Sequence, residues 1–232
     1  MERMSGSRLF VQQILALLAK DLKIEWRTRE IFTAMFVFSI LVLLVFNFAL
    51  GTDGDLIRRV VAGVLWIALL FATVLGLQRS GHTESEEDSL QGVLLILYDH
   101  STLFLAKLIL HMFYLLLIGG CTVLLCGLWF QVDFSSCLGA LGCVLTLAII
   151  GLSTVGTLFS MMAIQTRSRE VMLPLLFLPV VVPLSIPTVH IISQLILGKS
   201  LTDVADYLTM VIVFDVVFFT LSMLIFGAVI ED

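Results

Sequence analysis

The residues able to do chemistry in this 232-residue chain are few and scattered. Gly198-Lys199-Ser200 has the ending of a phosphate-binding loop, in which the Lys and the hydroxyl meet phosphate and magnesium. Such a loop needs a Gly five residues before its final Gly, and Ser193 stands there. No nucleotide site is therefore expected on the chain itself. Cys121, Cys126, Cys137 and Cys143 form no CxxC pair. They read as small apolar residues, with a disulfide across the outer ends of two neighbouring spans as the alternative. The histidines are His82, His100, His111 and His190. An axial haem ligand needs a His facing a wide apolar cleft, and each of these reads instead as packed or interfacial. No Ser-His-Asp set or carboxylate pair converges, so neither an enzyme active site nor a metal site is expected.

What remains is polar or backbone-perturbing residues in apolar surroundings. Asp215 is the one carboxylate well inside an apolar stretch. Ionised at a membrane-helix centre, such a group costs about 2.5–3.5 kcal/mol. It reads either as a structural hydrogen bond to a neighbouring Ser or Thr, or as a polar point lining a cavity shared with a second copy or partner. Pro174, Pro179, Pro183 and Pro187 all fall in one apolar stretch. Each removes a backbone donor, so that stretch is expected to be a curved packing helix or a bent or broken one. Glu84, Glu86, Glu87 and Asp88 precede Leu90, Val93, Leu94 and Leu97. Acids in a first turn suit the helix dipole, and the leucines give an apolar stripe. Residues 84–97 thus read as a short amphipathic helix that docks on a soluble partner, or as a solvated charge run.

The elements that must position these residues are membrane helices. Hydrophobic residues make up 59% of the chain and charged ones 13%, with a mean hydropathy of +1.11. Soluble domains carry about 25% charge. Six apolar stretches near 31–50, 60–78, 103–130, 138–165, 171–197 and 207–230 are each long enough to cross a ~30 Å hydrocarbon core. Open sheets leave backbone groups unpaired in lipid, so the fold class is all-α and polytopic. Gly139, Gly142, Gly151 and Gly156 in the fourth stretch permit close helix contact. The net charge of −5 gives no basis for nucleic-acid binding. No cleavable signal peptide is expected, because the first 30 residues are charged and lack an apolar core with a cleavage site.

Residues 8–30 are too polar to span. Val11, Ile14, Leu15, Leu18, Leu22 and Trp26 share one helical face, and Gln12, Gln13, Lys20, Lys23 and Arg27 another. Glu25 and Arg29 fall on the apolar arc and break the pattern. An amphipathic helix in the interface is expected, its cations near anionic headgroups. Residues 1–30 therefore read as an interface helix and 31–232 as a six-helix transmembrane domain. Arg3, Arg8, Lys20, Lys23, Arg27, Arg29, Arg79, Lys107, Arg167 and Arg169 fall to one side, and Arg58, Arg59 and Lys199 to the other. By the positive-inside rule both termini are cytoplasmic, with loops 51–59, 131–137 and 198–206 outside.

The order of parts carries a resemblance over nearly the whole chain. The segments are Asp21-Leu-Lys-Ile-Glu-Trp-Arg-Thr-Arg-Glu30, Gly63-Val-Leu-Trp-Ile-Ala-Leu-Leu70, Glu87-Asp-Ser-Leu-Gln-Gly-Val-Leu-Leu95 running on to Leu105-Ala-Lys107, Arg169-Glu-Val-Met-Leu-Pro-Leu175, and Phe214-Asp215. Together they resemble the membrane subunits of ABC-2-type exporters, and more closely the CcmB family of haem exporter proteins in cytochrome c maturation. Asp88, Gln91 and Leu97 depart from the family pattern, in which Gly, Glu and Pro are common at those places. The resemblance implies a bacterial inner-membrane permease that pairs with itself and with a CcmA-like ATPase. CcmC-, CcmD- and CcmE-like haem-handling proteins complete the implied assembly. ATP then acts through the partner, haem belongs to the complex, and hydrolysis is linked to release of the haem-loaded chaperone. Residues 84–97 become the ATPase-coupling helix. Two rival readings stand beside this one: an ABC-2 permease exporting a drug, lipid or polysaccharide, and a membrane scaffold without ATP coupling.

Overall fold

The structure is a computed structural model that describes residues 6–51, 53–86, 100–164 and 169–231, with side chains described over 10–51, 53–80, 101–163 and 171–225. The described residues form helices α1 (Gly6–Thr28), α2 (Glu30–Leu50), α3 (Gly54–Glu86), α4 (His100–Phe130), α5 (Leu138–Ile164), α6 (Arg169–Ile196) and α7 (Ala205–Glu231). Short 3-10 turns precede α5 at Ser135–Cys137 and α7 at Leu201–Val204. No strand occurs among the described residues. Six helices, α2 to α7, are long and apolar enough to cross a membrane. The protein is a multi-pass membrane protein, and an even number of crossings puts both chain ends at one membrane face.

Local chemistry sets the turns between these helices. Asp53 Oδ1 accepts the N–H groups of Asp55 and Leu56 at 3.1 and 3.2 Å, opening α3. Between α4 and α5, Asp133 Oδ1 accepts the Ser135 N–H at 2.9 Å. Hydrogen bonds from Ser135 hold the Asp133 carboxyl below the usual carboxylate range. The Gly198-Lys199-Ser200 tripeptide is a stop and a start. Gly198 takes φ +86°, its N–H reaches Leu195 O, and the Lys199 N–H reaches Gln194 O, both at 3.0 Å. That is the Schellman closure of a helix C-terminus. Ser200 then forms a reciprocal capping box with Asp203. A phosphate-loop look-alike is thus accounted for by helix ends.

The interior lies around α3 and α5. Helix α3 packs on α2, α4, α5 and α6, and α5 on α3, α4, α6 and α7. Leu65, Leu69, Leu77, Ile118, Leu141, Ile149 and Phe177 fill the core. Close approach depends on two glycines of α5. A Cβ on Gly156 would lie 2.5 Å from Leu77, and one on Gly151 would lie 2.5 Å from Asp215 Oδ1. Gly139 and Gly142 face open space, so the expected close contact holds at two of the four glycines.

Two expectations are corrected, and one left open between two readings is narrowed. The second span, expected at 60–78, belongs to a helix that begins at Gly54 and runs on to Glu86. Glu84 and Glu86 therefore end α3 instead of starting a separate helix, because the helical backbone continues past the apolar stretch. Helix α6 holds all four prolines yet is unbroken. Pro187 is buried, while Pro179 and Pro183 are exposed. Lys107, counted among loop cations, lies buried in α4.

Candidate functional site

The joint of α1, α2 and α4 is built from charged residues that the apolar pattern could not place. Glu25 is buried and turned inward. Its Oε1 accepts the Phe32 N–H at 2.8 Å and its Oε2 the Ile31 N–H at 3.3 Å. One carboxylate thus satisfies two orphan donors at the start of α2 and faces the positive end of its dipole. Arg29 turns the corner between α1 and α2 in the left-handed region, at φ 54°. A second tie crosses 86 residues of sequence: Lys107 Nζ donates to Asp21 Oδ2 at 2.8 Å, with both side chains largely buried. Arg79 Nη1 donates to Glu30 Oε1 at 2.8 Å and joins α3 to the start of α2. The leading helix is therefore fixed to α2 and α4 by specific bonds. Its apolar residues Val11, Leu15, Leu22 and Trp26 remain exposed, as suits a helix lying in the interface.

Deeper in the bundle, polar groups gather around a cavity of about 10 Å³ whose walls include Met35, Thr73, His111, Tyr114 and Ser153. His111 Nδ1 lies 3.0 Å from Thr157 Oγ1. His111 Nε2, Tyr114 Oη and Ser153 Oγ are buried without a hydrogen-bond partner. The cavity matches one water molecule in size and is far too small for a macrocycle. His190 is stacked on Tyr207 with ring centroids 4.1 Å apart. Among the described residues no group of three His, Cys, Asp or Glu side chains is placed to hold a metal ion.

Asp215 is buried on α7, and neither of its carboxylate oxygens has a hydrogen-bond partner. The expected bond to a Ser or Thr of a neighbouring span is not formed. The carboxylate sits instead where the missing side chain of Gly151 leaves room, close to Leu184 of α6. A carboxylate in such an apolar seat is costly when ionised.

A family model described as CcmB protein matches residues 12–232. The chain belongs to the CcmB family. Curated relatives named Heme exporter protein B come from Pseudomonas aeruginosa, Haemophilus influenzae and Rhodobacter capsulatus. The first is 26% identical over 174 residues, covering 73% of this chain and 76% of the relative. The second is 26% identical over 185 residues, covering 72% and 77%. The third is 27% identical over 171 residues, again covering 72% and 77%.

In this CcmB-family chain the first of the resembling segments is tied to Lys107, the end of the third. Asp21 and Glu25 of the first segment bind Lys107 and the start of α2. The last part of α3 and the first part of α4 are tied to the α1–α2 corner, through Arg79–Glu30 and Lys107–Asp21. Glu84 and Glu86 close α3, whereas Glu87, Asp88, Leu90 and Leu94 lie outside the described residues. The sequence reading missed the Asp21–Lys107 pair and the Glu25 cap. Glu25 had announced itself as an acid on an apolar arc. Lys107 had done so as a cation five residues inside a stretch expected to span.

Proposed function

We propose that this chain is the permease subunit of an ABC-type transporter that handles haem in cytochrome c biogenesis. The observation that carries the reading is the CcmB family match across residues 12–232, with relatives named Heme exporter protein B. The assembly contains a second copy of the chain, a separate CcmA-like ATPase, and CcmC-, CcmD- and CcmE-like partners. It sits in a bacterial inner membrane with both termini in the cytoplasm.

ATP binds the partner, and segment 84–97 transmits its closure. The geometry supports this division of labour. The segment joins α3 to α4, and α4 is clamped to α1 by the buried Asp21–Lys107 pair. A push on the segment therefore moves α1, α2 and α4 as one lever, because a buried pair resists separation. Haem is cargo of the complex and hydrolysis drives release of the haem-loaded chaperone. The test is affinity purification of the tagged chain from its own host. The ATPase should co-purify, and deletion of the gene should stop c-type cytochrome assembly. Normal cytochrome c in the deletion strain, or purification without any ATPase, would overturn the proposal.

A further inference from the structure

Polar side chains from three helices wall the small cavity inside the bundle. His111 and Tyr114 come from α4, Ser153 from α5 and Thr73 from α3. His111, Tyr114 and Ser153 are each more than nine-tenths buried. Their Nε2, Oη and Oγ atoms have no hydrogen-bond partner among the described residues, so none of the three reaches another. The other imidazole nitrogen of His111 is already engaged, 3.0 Å from Thr157 Oγ1. Thr73 gives its hydroxyl proton to Leu69 O at 2.8 Å and keeps only acceptor capacity. Buried polar groups in folded proteins nearly always find a partner, and cavities that stay dry are apolar. Three unpartnered polar atoms around one cavity therefore point to a ligand.

We infer that the cavity is a binding site for one water molecule, held by His111 Nε2, Tyr114 Oη and Ser153 Oγ and joining α4 to α5. The volume of about 10 Å³ admits one water and nothing larger. A water needs two to four polar partners, and three are present. Water both donates and accepts, so it satisfies hydroxyls and either tautomer of the imidazole. A cation fits worse. No carboxylate lines the cavity, and the Lys107 ammonium lies one turn before His111 on the same helix. Lys107, His111 and Tyr114, spaced by four and three residues, share one face of α4. The first is bound to Asp21 of α1, and the other two meet the water beside α5. One polar seam thus runs from α1 across α4 to α5. It does not depend on the transport reading above.

Two measurements on the full chain in detergent test this. The first is NMR of deuterated protein with protonated histidines, in which His111→Asn assigns the His111 ring signals. Magnetisation should pass from water to the Hδ2 proton of His111, which adjoins Nε2. Ser153→Val fills the cavity and should abolish that transfer. The second is the thermal midpoint of Tyr114→Phe and Ser153→Ala, each of which removes one oxygen. With water bound, each variant loses a hydrogen bond, and its midpoint should fall by about 2–4 °C. The double variant should fall by less than the sum, because both oxygens act through the same water. In a dry cavity the sign reverses, since removing an unpartnered buried hydroxyl relieves a cost. An unchanged or raised midpoint in either single variant would overturn the site. So would the lack of water transfer to His111, or transfer that persists in Ser153→Val.

Discussion

Lys107 and Asp21 illustrate how much a single buried pair decides. Both side chains are largely out of solvent and 2.8 Å apart. Removing one partner strands the other, which costs about 3–5 kcal/mol for a buried pair. Lys107→Met should therefore sharply lower the thermal midpoint of the detergent-solubilised protein, and Asp21→Asn with Lys107→Met should recover part of the loss. An unchanged midpoint in Lys107→Met would show that the pair is solvated. Asp215 makes the opposite prediction. With no partner for either oxygen, its charge contributes nothing to folding. Asp215→Asn should be at least as stable as the parent chain, and a clear drop in the midpoint would reveal a bond to the carboxylate. Gly151 can be tested beside it. A Cβ there would meet Asp215 Oδ1 at 2.5 Å and Leu184 Cδ2 at 2.8 Å, so Gly151→Ala should cost about 1–3 kcal/mol by overpacking. Gly139→Ala faces open space on the same helix. It should be neutral or gain up to about 1 kcal/mol of helix propensity.

Elements were more legible in the sequence than the bonds between them. The six spans could be read because 18 or more apolar residues in a row leave a membrane helix as the only satisfied backbone. The second span's end near 78 was legible, but the helix runs beyond both expected ends, because polar residues such as Arg58 and His82 continue it without any apolar signal. Sequence left the course of α6 open between a continuous and a broken helix. Four prolines remove four donors, yet packing on α3, α5 and α7 holds the helix in register. Asp215 was visible as a lone acid, whereas its seat was not, since Gly151 is 64 residues away in the chain. The Lys107 clamp was invisible for the same reason: its partner lies 86 residues earlier. At this scale the coupling proposal has its own test. Charge reversal of Glu86 and Glu87 to Lys should leave membrane insertion intact and weaken ATPase co-purification. Normal co-purification together with normal cytochrome c maturation would make segment 84–97 a solvated acidic connection.

Six spans among the described residues put the two ends of the bundle at one face, but hydropathy alone does not say which face. Charge does. The cations in and before α1, at the α3 and α4 ends and at 167–169 outnumber Arg58, Arg59 and Lys199 at the other face by ten to three among the 13 in the chain. Lys and Arg in short loops resist translocation, so the prediction is a terminal face in the cytoplasm. Lys107 adds nothing to that count in practice, because it is buried against Asp21, and nine to three gives the same orientation. Thiol labelling of intact cells decides it. The native thiols are first replaced, so that only the introduced one reports. In that background a Cys at Asp53, Asp133 or Lys199, all exposed beyond the spans, should label with a membrane-impermeant maleimide. A Cys at Thr28 or Ser85 should label only after the membrane is opened. Labelling of Thr28→Cys in sealed cells would invert the protein. It would also place segment 84–97 on the side without ATP, and the coupling proposal would fall with the orientation.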